Sequence, residues 1–135
     1  MLKVEHIGIA VRSLKQAVPV YETLLGTNCY KTELVASENV KTAFLRSGET
    51  KIELLESTKE EGVISRYIDK KGEGMHHIAF EVADILAEME RLKQKGFHLL
   101  NEAPKQGADN KLVCFIHPKS ANGVLIELCQ EQKEK

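Results

Sequence analysis

Hydrophobic and polar residues alternate along two stretches of the chain that resemble each other. Residues 4–11 read VEHIGIAV and residues 74–82 read GMHHIAFEV. Alternation with a period of two predicts a β-strand with one apolar face. His6 and His77, 71 positions apart, each precede an isoleucine in these strands. The pattern therefore predicts two equivalent strands, each with a histidine on the face opposite its apolar residues.

A segment with helical spacing follows each of these strands. Ser13 and Asp84 are suitable N-caps for the two helices, and Gly26 and Gly96 are suitable residues to end them. The apolar positions expected to face the sheet are Leu14, Ala17, Val18, Tyr21, Leu24 and Leu25 in the first helix and Ile85, Leu86, Met89 and Leu92 in the second. Each half of the chain therefore begins with a strand and a helix.

Further extended segments complete the two halves. They are predicted at residues 28–35, 39–46 and 51–56 in the first half, and at residues 97–100, 111–116 and 123–129 in the second. Phe44 and Phe115 correspond at an offset of 71, and the sequence IEL recurs at an offset of 74. The predicted fold class is α+β, with two tandem β-α-β-β-β modules that form a cupped mixed sheet.

The repeat also predicts how the chain is divided. We expect one domain, residues 1–135, with a first module of about residues 1–57 and a second of about residues 74–130. Residues 58–73 form a polar linker that includes one short helix. A period of about 70 residues is too long for a solenoid and fits a paired-module domain.

Composition limits the classes of partner. The formal net charge of −1 gives no electrostatic basis for binding nucleic acid or an anionic membrane. Three widely spaced cysteines without a CxxC motif are typical of reduced thiols. The chain shows neither a signal-peptide pattern nor an apolar stretch long enough to span a bilayer. We therefore expect a cytoplasmic protein that binds neither nucleic acid nor membranes.

Glutamates at equivalent strand positions accompany the two histidines. Glu53 and Glu127 lie in the recurring IEL segments, on strands that are otherwise largely apolar. Isolated carboxylates are seldom buried without a partner, although both glutamates would also suit the solvent-facing side of half-exposed strands. Two imidazoles with one or two carboxylates suit a borderline divalent ion such as Zn²⁺, Co²⁺, Mn²⁺, Fe²⁺ or Ni²⁺.

The repeated strands and the run HPKS…GVLIEL at residues 117–128 resemble the vicinal-oxygen-chelate superfamily, which includes glyoxalase I. Within it, the chain is similar to methylmalonyl-CoA epimerases over nearly its whole length. The resemblance implies the glyoxalase fold and a divalent metal, Zn²⁺ or Co²⁺ before Mn²⁺, Ni²⁺ or Fe²⁺. The implied ligands are His6, Glu53, His77 and Glu127.

The resemblance also implies metal-dependent epimerisation at C2 of methylmalonyl-CoA through a metal-chelated enolate. Epimerisation requires two acid/base groups, and Glu127 is the expected catalytic residue for one of them. Thr42 aligns where some relatives have glutamate, and Glu38 is close in sequence but would have to act from the end of the strand. Either the second group is a water or another ligand carboxylate, or the substrate of this protein differs. Lys119 and Ser120 are expected to contact the CoA phosphates, although a solvated turn explains them equally well.

Three other functions are compatible with the pattern. A glyoxalase I-like lyase or isomerase would act on another thiol adduct or thioester. An Fe²⁺-dependent ring-cleaving dioxygenase would also use two histidines and a carboxylate. Non-catalytic binders of the superfamily generally lack the metal ligands, whereas all four are present here. For each of the enzymes we expect a small-molecule substrate, an acyl-CoA in the preferred case, and a homodimer.

Overall fold

The computed structural model describes residues 1–133, which form two compact units. The first unit comprises residues 6–76, and the second comprises residues 1–5 together with the chain from residue 77 onward. The elements of the first half are β1 (Lys3–Ala10), α1 (Leu14–Leu25), β2 (Lys31–Val35), β3 (Val40–Ser47), β4 (Thr50–Ser57) and α2 (Val63–Lys71). The elements of the second half are β5 (Gly74–Glu81), α3 (Ile85–Gln94), β6 (Lys105–Gln106), β7 (Lys111–Ile116) and β8 (Ile126–Glu131).

Both units have the same strand connections. The strand order is β2-β3-β4-β1 in the first unit, where β1 runs parallel to β4 and the other pairs are antiparallel. In the second unit the order is β6-β7-β8-β5, and β5 runs parallel to β8. The predicted β-α-β-β-β modules and their mixed pairing are therefore confirmed within each unit.

Side-chain caps fix the start of the two long helices. The Oγ of Ser13 accepts a hydrogen bond from the Gln16 amide, and a carboxylate oxygen of Asp84 accepts one from the Ala87 amide. Gly26 ends α1 in the left-handed region, at φ 67°, which glycine adopts without steric cost. The predicted helix boundaries are therefore confirmed at these three residues.

The helices pack on one face of the sheet of their own unit. Leu14 of α1 packs with Val11, Ala43, Leu45 and Leu54, and beneath α3 lie Val82, Cys114, Ile116 and Leu128. The prediction was wrong for Leu24 and Leu86, which are 72% and 66% exposed. At 3.6 residues per turn, both lie roughly 80–100° from the centre of the buried stripe of their helix.

The second strand of the second module was also misplaced. Residues 97–100 make only an isolated bridge between Leu99 and Ile116, whereas Lys105–Gln106 pairs with β7 as β6. A strand of two residues contains too few positions to show an alternating pattern. The short helix predicted in the linker is confirmed as α2, whose buried residues Ile64 and Ile68 contact Leu55.

Candidate metal and active site

In each unit, a histidine and a glutamate lie together on the face of the sheet opposite the long helix. This face of each unit is called the site face below. In the first unit, Nε2 of His6 lies 3.5 Å from Oε1 of Glu53, and both side chains are only 6% exposed. In the second unit, Nε2 of His77 lies 3.3 Å from Oε1 of Glu127, with exposures of 4% and 7%. The alternative that both glutamates are solvent-facing is therefore wrong.

Strand register explains why the same pair forms twice. Glu53 stands beside Gly8 of the parallel strand β1, and Glu127 stands beside Ala79 of β5. The histidine lies two residues before this small residue in each case, and residues two apart in a strand share a face. A small neighbour leaves space in which the carboxylate can approach the imidazole.

A phenylalanine borders each carboxylate on its other side. Phe44 is the cross-strand partner of Glu53, and Phe115 is the partner of Glu127. The ring of Phe115 also meets His77 edge to face, with centroids 5.8 Å apart. Each pair is therefore bordered by an aromatic ring and a small residue, which limits the access of water and strengthens electrostatic interactions there.

The second unit also buries a thiol on its site face. Cys129 is completely buried two residues after Glu127, and burial, followed by the charges of Glu127 and Glu5, raises its pKa. A thiol in this environment stays protonated. Glu5 is itself only 2% exposed, and the sequence analysis did not single it out. Its position in an alternating apolar strand was the signal that could have drawn attention to it.

His76 has a different environment from its neighbour His77. Its ring meets Tyr67 edge to face at 4.9 Å, and burial lowers the pKa of His76 to about 4. The side chain is therefore neutral near pH 7 and packs within the first unit. His76 is therefore a packed structural histidine.

The loop after β7 holds the two residues expected to contact CoA. A 3-10 turn spans Pro118–Ala121, and Nδ1 of His117 accepts a hydrogen bond from the Lys119 amide at 3.0 Å. The Oγ of Ser120 accepts a hydrogen bond from the His98 amide at 2.9 Å. The rings of His98 and His117 stack nearly parallel, with centroids 5.0 Å apart. The loop is thus ordered by its own hydrogen bonds, with the Lys119 side chain exposed.

The first unit also has a cleft of about 410 Å³, which lies away from the His6–Glu53 pair. Its lining includes Ile9, Ser13, Tyr21 and Glu73, none of which belongs to the histidine–glutamate pairs.

Among the helices within residues 1–133, none combines the length and the apolar character needed to cross a membrane.

Comparison with known proteins identifies the family. Residues 5–115 match the family model for the Glyoxalase/Bleomycin resistance protein/Dioxygenase superfamily. The chain is 39% identical to the ethylmalonyl-CoA/methylmalonyl-CoA epimerase of Cereibacter sphaeroides, over 95% of this chain and 97% of that protein. It is 37% identical to the uncharacterized protein YqjC of Bacillus subtilis, over 100% of this chain and 96% of that one.

Solved structures agree with this result. A variant of the Streptomyces coelicolor methylmalonyl-CoA epimerase, in complex with 2-nitronate-propionyl-CoA, superposes with a TM-score of 0.94 at 33% identity. The match covers 98% of this chain and 99% of that one. The chain therefore belongs to the glyoxalase superfamily, and the predicted fold is confirmed. Within the superfamily it belongs with the methylmalonyl-CoA epimerases, as an epimerase-like enzyme.

Proposed function

We propose that this chain is a metal-dependent epimerase that inverts C2 of methylmalonyl-CoA. The observation that carries the proposal is the buried histidine–glutamate pair at the equivalent position of both units. A single pair of this kind is common in protein structures. Its repetition by a duplicated module indicates a functional constraint on both copies. The relatives from Cereibacter sphaeroides and Streptomyces coelicolor named above are epimerases of malonyl-type CoA thioesters.

The chemistry of the side chains fits a borderline divalent ion. His6, Glu53, His77 and Glu127 supply two imidazole nitrogens and two carboxylates, a ligand set that suits Zn²⁺ or Co²⁺, and also Mn²⁺, Ni²⁺ or Fe²⁺. We propose that the four bind one ion. When bound, such an ion stabilises the negative charge that develops on the thioester oxygen.

Glu127 is the residue that we assign to proton transfer at C2. Its carboxylate is held between Ala79 and Phe115 and lies at the end of the HPKS…GVLIEL run. In the proposed reaction the proton of C2 moves to a carboxylate oxygen of Glu127. The electron pair of the broken C–H bond forms the carbon–carbon double bond of the enolate, and the carbonyl π pair moves onto the thioester oxygen.

The ordered loop after β7 suits the CoA part of the substrate. The amide of Lys119 is fixed by His117, while its side chain is exposed. An exposed ammonium group can donate charge-assisted hydrogen bonds to a phosphate, and the ordered backbone fixes the point from which it reaches. Lys119 and Ser120 therefore remain our proposed contacts for the CoA phosphates.

Assembly and location are part of the same proposal. We expect a cytoplasmic homodimer, because β2 is an edge strand in the described first unit and edge strands favour association. Sedimentation velocity at micromolar concentration tests this expectation. A single species at the 15.1 kDa mass of one chain would contradict it.

The decisive test is exchange of the C2 proton of methylmalonyl-CoA in D₂O, followed by NMR, with protein reconstituted with Zn²⁺ or Co²⁺. Deuterium should enter C2, and the two epimers should interconvert. A matched reaction with the hemithioacetal of glutathione and methylglyoxal tests the glyoxalase I-like alternative. Turnover of the hemithioacetal without exchange in methylmalonyl-CoA would favour that alternative and refute the epimerase.

A further inference from the structure

Inversion at C2 requires a second proton carrier, because one group removes the proton from one face and another returns a proton to the opposite face. Glu127 belongs to the second unit, so the other carrier is expected on the site face of the first unit. Strand register places these residues on that face: His6, Gly8 and Ala10 of β1; Lys31, Glu33 and Val35 of β2; Val40, Thr42, Phe44 and Arg46 of β3; and Lys51, Glu53 and Leu55 of β4. Among these described residues, the carboxylates are Glu53 and Glu33.

Thr42 does not have the chemistry required of a proton carrier. It is 1% exposed, and its hydroxyl donates a hydrogen bond to the backbone carbonyl of Glu33 at 3.4 Å. A threonine hydroxyl exchanges protons poorly near neutral pH unless a base activates it. Its role here is to attach β2 to β3 at this row of the sheet.

Glu33 is the direct cross-strand partner of Thr42, and therefore lies on the same face. The exposure pattern of β2 agrees, because Lys31, Glu33 and Val35 are half-buried while Thr32 and Leu34 are exposed. Val35, on the same side as Glu33, packs against the buried cluster beneath α2. The Glu33 side chain thus points inward, although it remains 30% exposed.

The row that contains Glu33 lies next to the row of the first pair. Phe44 and Glu53 are opposite each other, two residues along β3 and β4 from Thr42 and Leu55. With strands about 4.8 Å apart and about 3.4 Å per residue, the Cα atoms of Glu33 and Glu53 are roughly 12 Å apart. A glutamate side chain and a metal-chelated substrate would together fill a separation of this size.

A lysine keeps Glu33 in a polar and solvent-connected environment. Nζ of Lys31 lies 3.4 Å from Oε1 of Glu33, and 5.5 Å from the centroid of the Phe44 ring. The ammonium group gives the carboxylate a polar partner, and partial exposure gives it access to water. These are the properties needed by a group that must be reset after each turnover.

We propose that Glu33 is the second acid/base residue of the epimerase, and this inference rests on the proposed function. Glu127 takes the proton from C2 of one epimer, and the C–H electron pair enters the enolate. The protonated Glu33 then donates its proton to the opposite face of C2, where the enolate double bond supplies the electron pair. Glu127 is left protonated and Glu33 ionised, and exchange with water restores both. The other epimer reacts in the reverse direction.

The test exploits the difference between removing one of two bases and damaging the whole site. In Glu33→Gln, C2 exchange in D₂O is measured separately for each epimer, along with interconversion and metal content. We expect interconversion to fall by about 10²–10⁴-fold. One epimer should still exchange with retention of configuration, while exchange of the other is lost. Glu127→Gln should show the opposite epimer preference.

Three control variants sharpen the result. Glu49→Gln removes a carboxylate from the exposed β3–β4 turn and should leave both exchange rates unchanged. Normal interconversion in Glu33→Gln would overturn the assignment, and so would an equal fall for both epimers, which indicates a structural role. If Lys31→Gln or Glu38→Gln lost C2 exchange for one epimer only, while Glu33→Gln behaved normally, the second acid/base role would belong to that residue and not to Glu33. Absence of exchange in the unmutated protein would refute the epimerase itself, and the inference with it.

Discussion

Leu128→Ala tests how the core of the second unit supports the strand that carries Glu127. Leu128 is completely buried, and it packs with Val82, Ile85 and Ile116 beneath α3. It lies next to Glu127 in β8 but points to the opposite face. The substitution therefore removes packing from the core and leaves the site face chemically unchanged.

The expected cost follows from the burial of Leu128. Three carbon atoms are removed, and at about 0.8 kcal/mol for each buried CH₂ the loss of transfer free energy is about 2.4 kcal/mol. Neighbours on a helix and on paired strands close the cavity only partly, which brings the expected loss of unfolding free energy to about 3–5 kcal/mol. For a chain of 135 residues, the entropy of unfolding near Tm is about 0.28 kcal/mol/K. The variant should therefore melt at least about 10 °C below the parent.

Urea unfolding followed by circular dichroism measures this change, and Leu86→Ala is the matched control. Leu86 is 66% exposed on the same unit's helix, so the same substitution should cost less than about 0.5 kcal/mol. Below its transition, Leu128→Ala should still bind metal, because Glu127 remains paired with Ala79 and Phe115. A loss below about 1 kcal/mol, or equal losses in the two variants, would refute the packing argument.

Three further predictions concern the proposed metal ligands and the buried thiols. His77→Ala should lose the divalent ion, about one per chain in the parent, by elemental analysis; full occupancy would rule out His77 as a ligand. Glu127→Gln should keep much of its metal yet lose catalysis, since an amide cannot accept the proton, whereas Glu53→Gln should be milder. If Glu53→Gln were the inactive variant and Glu127→Gln nearly normal, the assignment of proton transfer to Glu127 would be wrong. Because burial raises the pKa values of Cys114 and Cys129, both thiols should react with a disulfide reagent at pH 8 only after unfolding.

The alternating pattern of the sequence was sufficient to predict the faces of the strands. A period of two decides which side a residue occupies whatever the rest of the chain does, so His6 and His77 could be assigned opposite the core. The starts of α1 and α3 could also be predicted from the nearby sequence, because the side chains of Ser13 and Asp84 cap the helices that follow them. The duplication then predicted that Glu53 and Glu127 occupy equivalent positions.

Register between strands was decided by the tertiary structure. The parallel pairing of β1 with β4 sets Gly8 beside Glu53 and so brings His6 within 3.5 Å of the carboxylate. The sequence predicted that these two residues share a face, but pairing between distant segments depends on packing across the whole sheet. For the same reason Glu33 was overlooked, since only the register of β2 against β3 sets it beside Thr42.

The tertiary structure also decided which residues at the margins of helices and strands are buried or paired. Leu24 and Leu86 have the residue type of a core position, but each lies at the side of the buried stripe of its helix and is exposed. The two-residue strand β6 has no pattern of its own and exists because β7 offers it a partner. Local periodicity determined which faces the modules have and which residues they carry, whereas contacts between distant segments determined which of those residues meet.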